Sequence, residues 1–222
     1  MTIVFCHLSM FFLNNFLLLL LYKMCWNEEV SLNTFLYGTI SAIIVIFLNK
    51  IPIRTILLVY TVSLIQLMEY FTWKNINNKE VIHYLSISGI FILLLQVLLI
   101  SNNNLKNKEK LFSYIIIFIL TIIIFYYNFQ NYKFHMEKGE NGHLKWLWVD
   151  FPDYFLLLGL ILWIYPPIRN KNYISLLFII TTILISYYYY YKYKTWGSMW
   201  CYIGNVFWIL LLIKSIYLSI KL

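Results

Sequence analysis

Apolar residues in this chain come in long blocks divided by short polar stretches. The blocks have the length of helices that cross a bilayer. About 20 mainly apolar residues span a ~30 Å hydrocarbon core. Seven stretches after residue 29 qualify, at 30–48, 55–73, 81–101, 111–129, 154–168, 173–191 and 198–219. The separators carry Lys, Asn, Gly and Pro, as loops do. The fifth stretch is short and ends at Pro166-Pro167, which stop a helix. Most separators are short, so consecutive helices should be antiparallel neighbours. Isolated strands cannot span lipid, because their backbone groups would be unpaired. The pattern predicts an all-α polytopic membrane protein: a seven-transmembrane-helix bundle with an extra hydrophobic N-terminal segment, no internal repeat and no soluble domain.

Composition agrees. Of 222 residues, 62% are hydrophobic and 12% charged, whereas soluble domains run about 45–50% apolar and about 25% charged. A water-soluble globule is excluded, and so is a disordered chain, which needs low hydrophobicity. The sole alanine is Ala42 and the arginines are Arg54 and Arg169. Residues with GC-rich codons are scarce, which points to an AT-rich gene. The runs at Ile115–Ile117 and Tyr187–Tyr191 therefore carry little weight.

Residues 1–23 are hydrophobic but lack a basic start and a small-residue cleavage site, so they are a poor signal peptide. They read as an extra helix, a signal anchor, or an extension ahead of a start at Met24. The domain division is 1–23 as leader and 24–222 as the membrane domain.

Seven crossings place loops 74–80, 130–153 and 192–197 on the side of Cys25, and loops 49–54, 102–110 and 169–172 with the C-terminus on the other. Lys and Arg are almost evenly divided, with a slight excess in the short loops of the second side. That side is expected to be cytoplasmic and the Cys25 side extracytoplasmic. The acids are uneven: Glu28, Glu29, Glu80, Glu137, Glu140, Asp150 and Asp153 lie on the Cys25 side, and only Glu109 opposite. The net charge of +8 is thus concentrated on the second side, where it would attract anionic headgroups. The expected partner is the lipid bilayer. Nucleic acid is not, since no basic module stands outside the membrane.

Residues able to do chemistry also gather on the Cys25 side. Glu69 is the one acid within a predicted span, and intramembrane carboxylates are functional candidates by default. Ser63, Gln66 and Trp73 share its helical face, and His83, Ser86 and Gln96 repeat the pattern on the next span. Two facing polar stripes would line a pocket or proton path. The alternative is ordinary interhelical hydrogen bonding, worth ~0.6 kcal/mol per contact, with Glu69 near enough to the interface to reach water. The candidate ligand-binding residues are Glu69, Gln66, His83, His143, Trp146 and Trp200. An aromatic interfacial belt is the plain reading of the Trp residues, but only Trp163 lies near the opposite side.

Cys25 and Cys201 share a side and are candidates for a disulfide, with free thiols or metal ligation as alternatives. No CxxC, HxxxH or HExxH spacing occurs, so neither a metal nor a cofactor is expected. Asn141-Gly142 is a two-residue hairpin signal. Pairing around it would set Phe134, Met136, Leu147 and Val149 on one face and His135, Glu137, Trp146 and Trp148 on the other, forming a small lid. Thr34, Gly38 and Ala42 form a small-residue stripe that permits close helix approach. Lys214 near the end of the last span reads as a snorkelling lysine, not as a Schiff base.

Met24-Cys25-Trp26 followed by Glu29-Val30-Ser31 resembles the start of an uncharacterised family of small multi-pass membrane proteins beginning Met-Cys-Trp. Leu67-Met68-Glu69, Gly142-His143-Leu144-Lys145-Trp146 and Trp200-Cys201 match further motifs of that family in order and spacing. The resemblance implies architecture and site positions rather than an activity, and makes residues 1–23 an extension. The chain also resembles alkaline ceramidases in its Cys25-Trp26 start and seven spans. Those hydrolases use paired histidines on the last helix, which are missing here.

The leading expectation is a non-enzymatic membrane protein with a polar, aromatic-capped pocket that binds or conducts a small solute or proton. The alternatives are an interfacial enzyme acting on lipid, with His83 or His143 as base and Glu69 as partner, and a purely structural membrane protein.

Overall fold

A computed structural model of the chain describes residues 27–101 and 105–221. The 1–23 leader, Met24, Cys25 and Trp26 lie outside the described residues. Helix α1 (Glu28–Leu48) starts where the Asn27 side chain accepts from the Val30 N–H at 3.0 Å, with Glu28 and Glu29 suiting the positive end of the helix. It stops at Asn49, whose left-handed φ of 50° turns the chain. Pro52 then opens α2 (Ile53–Lys74), followed by α3 (Lys79–Ser101) and α4 (Asn107–Gln130). A hairpin of β1 (Met136–Lys138) and β2 (Leu144–Trp146) and a single 3-10 turn lead into α5 (Asp153–Arg169). Then come α6 (Tyr173–Tyr190), α7 (Trp196–Gly204) and α8 (Phe207–Ile220).

Among the described residues, α1, α2, α3, α4, the α6 segment and the combined α7–α8 segment make six helices long and apolar enough to cross a membrane. Large apolar side chains such as Phe47, Phe118 and Ile174 point outward, where water would be a poor solvent for so much surface. By length and hydropathy the protein is an integral, multi-pass membrane protein in contact with the lipid bilayer.

Two predicted boundaries shift. Helix α5 does not stop at Pro166-Pro167 but continues to Arg169, where the Pro166 and Pro167 carbonyls accept from the Asn170 and Asn172 N–H groups. At 17 residues it is about 25 Å long. Its end is tied to the start of α4 by Arg169 and Glu109, 2.8 Å apart. The last predicted span divides at Asn205. There the Asn205 backbone N–H donates to Tyr202, three residues back, while its side-chain amide donates to the Cys201 carbonyl at 2.9 Å. Its Oδ1 accepts from Ser63 at 2.7 Å, and Ser63 accepts from Trp208 Nε1 at 2.9 Å. Gly38 makes this junction possible, since a Cβ there would lie 2.0 Å from Ser63 Oγ. Gly38 and Ala42 are buried, as the small-residue stripe predicts, with Thr34 half-buried.

The hairpin differs from expectation by one residue. Gly142 adopts φ +83° and donates to the Gly139 carbonyl, while Gly139 donates to His143. The turn therefore holds three residues, not two, with the glycine in the left-handed position. Met136 pairs with Trp146 and Glu137 with Lys145. A one-residue slip exchanges the faces of a strand, so Trp146 and Trp148 share the buried face with Met136 and Leu144. The hairpin enters the bundle rather than covering it. Its buried face packs on Ile65, Met68, Ile82 and Ile90.

Candidate functional site

Glu69 lies five residues before the end of α2, about 7.5 Å below it. It is 3% exposed and does not reach water by snorkelling. Its Oε2 accepts from Gln66 Nε2 at 3.0 Å, one helical turn earlier. The side chains of Ser198 from α7 and Trp146 from the hairpin face the same carboxyl, and the Cys201 thiol lies within its field. No Lys or Arg is paired with it among the described residues. Glu69 Oε1, Gln66 Oε1 and Trp146 Nε1 are buried without a hydrogen-bond partner. Such groups are rare in native structures because each carries its full desolvation cost.

The hairpin reaches this site because two glycines admit its rings. Trp146 stacks on Trp148, with centroids 4.9 Å apart and planes 12° from parallel. A Cβ on Gly197 would lie 3.1 Å from the Trp146 ring, and one on Gly89 would lie 2.7 Å from the Trp148 ring. Gly89 is ten residues into α3, so the Trp148 ring reaches about 15 Å from the start of that helix. The hairpin is held from outside by Asp150, which pairs with Lys194 at 3.0 Å and Lys133 at 3.3 Å, and by Asn141 donating to Thr195 at 2.9 Å. Burial opposes the Asp150 charge, but Lys194 and Lys133 outweigh it and hold the carboxyl below its ordinary value.

The predicted site residues divide into groups. Glu69, Gln66 and Trp146 come together, joined by Ser198 and Cys201. His83 stands exposed on α3 with its ring 5.4 Å from Phe134. His143 is buried in the hairpin turn against Tyr190, centroids 5.3 Å apart, and burial pushes its imidazole down to about 4. Neither histidine is among the groups facing the Glu69 carboxyl. Trp200 turns away from Glu69: its N–H donates to Thr182 at 3.2 Å and its ring meets Trp163 at 5.3 Å. Cys201 is a buried free thiol, and its disulfide candidate Cys25 lies outside the described residues. Among the described residues no three His, Cys, Asp or Glu side chains cluster to hold a metal.

Ser198 was missed in the sequence. Ser198 lies two residues before Trp200, and no polar residue stands three or four positions after it on its helical face to mark it. The chain matches no family model, no curated protein and no solved structure.

Proposed function

We propose that the protein is a seven-span membrane protein whose Glu69 centre holds a small hydrogen-bonding solute or a proton. In this reading α5 is the seventh crossing, a shorter one, and the hairpin end is extracytoplasmic. The carrying observation is the set of three buried polar atoms without partners, Glu69 Oε1, Gln66 Oε1 and Trp146 Nε1. They belong to side chains gathered around one carboxyl. Polar groups enclosed at membrane depth are costly unless they serve an occupant or a proton. We propose, too, that the likeness to the Met-Cys-Trp family reflects kinship. Supporting it, three motif segments meet in one core, through Met68, Trp146 and Cys201.

The test uses full-length protein in phosphatidylcholine vesicles loaded with a pH-sensitive dye. Glu69→Gln should change pH-dependent flux and remove a carboxyl band from the pH-difference infrared spectrum. Unchanged flux together with an unchanged band would overturn the reading.

A further inference from the structure

A large cavity among the helices does not include Glu69 in its lining. It occupies about 500 Å³, within the ~300–1,000 Å³ typical of ligand sites. It lies among α2, α3, α5, α6, α7 and α8, at the end of the bundle opposite the hairpin. Its body is apolar, formed by residues such as Val62, Phe178, Phe207 and Leu210. Its inner end is Trp200 with Cys201, and its outer end carries Asn172, Ser175, Lys214 and Tyr217. Trp163 and Trp200 also line a second, apolar cavity of about 150 Å³, so their edge-to-face pair is the partition between the two.

Two polar groups stand near the outer end. Gln96 lines the cavity, is 1% exposed, and its Nε2 has no hydrogen-bond partner. It is a buried, unpaired donor on a residue that lines the cavity. Lys214 belongs to none of the four ion pairs among the described residues. Gln96 is five residues from the end of α3 and Lys214 six from the end of α8. They therefore sit about 7.5 and 9 Å inside their helix ends, at nearly the same depth. Ile174 and Ile213, both exposed, flank the opening between α6 and α8, which faces the bilayer.

We infer that this cavity takes one acyl chain of an anionic amphiphile. The headgroup lies between Lys214 and the Gln96 amide, and the chain runs inward to Trp200. The fourteen residues from Trp200 to Lys214 span about 21 Å along the helix axis, the reach of a long acyl group. A polar solute is a poor occupant for such walls. A neutral hydrocarbon would leave the Gln96 donor unsatisfied, at full desolvation cost. The inference is independent of the Glu69 reading.

The test is titration of the full chain in phosphatidylcholine vesicles with cis-parinaric acid, a fluorescent fatty acid. Saturable binding is expected, with energy transfer from tryptophan. Ser175→Phe, which fills the outer cavity, should abolish it. Lys214→Gln, at an exposed position, should weaken it about tenfold, the effect of losing one charge-assisted contact, while leaving the matching fatty alcohol unaffected. Competition by phosphatidylglycerol vesicles would identify a bilayer lipid as the source, and competition by free fatty acid alone a soluble one. Either result supports the site. Non-saturable binding, or equal binding of acid and alcohol to wild type and Lys214→Gln, would overturn it.

Discussion

Trp148 occupies the space where a side chain on Gly89 would begin, with ring carbon Cζ2 2.7 Å from the position of a Cβ. The ring is 1% exposed and cannot swing aside, since it is stacked on Trp146 and its carbonyl accepts from Asn128 at 3.1 Å. Gly89→Ala should therefore lower stability by about 1–3 kcal/mol, the usual cost of overpacking. Thermal unfolding in detergent, followed by tryptophan fluorescence, measures this. An unchanged midpoint would mean that the hairpin can back out freely.

Gln66 donates to Glu69 Oε2 at 3.0 Å, beside the Ser198 and Trp146 side chains that face the same carboxyl. Gln66→Leu keeps the volume roughly constant and leaves the carboxyl oxygen unpaired. A loss of about 1–3 kcal/mol is expected. Glu69→Gln combined with Gln66→Leu should cost less than the sum of the two single changes, because each removes the same contact.

His143 gives a dependence on pH. Its folded-state value, about 4, lies below the ordinary histidine value of about 6.5. The unfolded chain thus binds the proton more readily between those values. Stability is fully present above about 6.5 and falls as pH drops toward 4, by on the order of 2–3 kcal/mol. His143→Gln should flatten the unfolding midpoint across that window. A wild-type profile already flat there would contradict the burial of the ring.

Asp150 acts at lower pH and with the opposite origin. Its folded-state value is depressed by Lys194 and Lys133, so its contribution is present above the ordinary carboxylate range and lost as pH falls through the folded value. The side chain is 35% exposed, so the effect is small, under about 1 kcal/mol, and weakens with salt. Asp150→Asn should loosen the hairpin, read as faster amide hydrogen exchange at Leu144–Trp146, and should do so less in high salt.

The helices were legible because apolar blocks of membrane length carry their own signal. The predicted 81–101 and 173–191 spans end within a few residues of α3 and α6. Glu69 and Gln66 were also legible, as polar residues three apart on one helical face. The register of the hairpin was not. Asn141-Gly142 suits both a two-residue and a three-residue turn, because Gly142 takes a positive φ in either. The two differ at Asn141, which is not among the positive-φ residues, and in the pairing of Met136 with Trp146. That register determines whether Trp146 meets lipid headgroups or Glu69. The break at Asn205 was hidden for a related reason: its partner Ser63 is 142 positions away, beyond the reach of local pattern.

The hairpin's depth has a kinetic consequence. A residue sealed beneath a stacked tryptophan pair exchanges with the outside only when the pair withdraws. In the proposed reading, exchange at Glu69 from that end is governed by how often the hairpin opens, and the strength of the contacts made once inside matters less. Lid openings and local unfolding fall in the microsecond-to-second range, with the stack of Trp146 on Trp148 setting the clock.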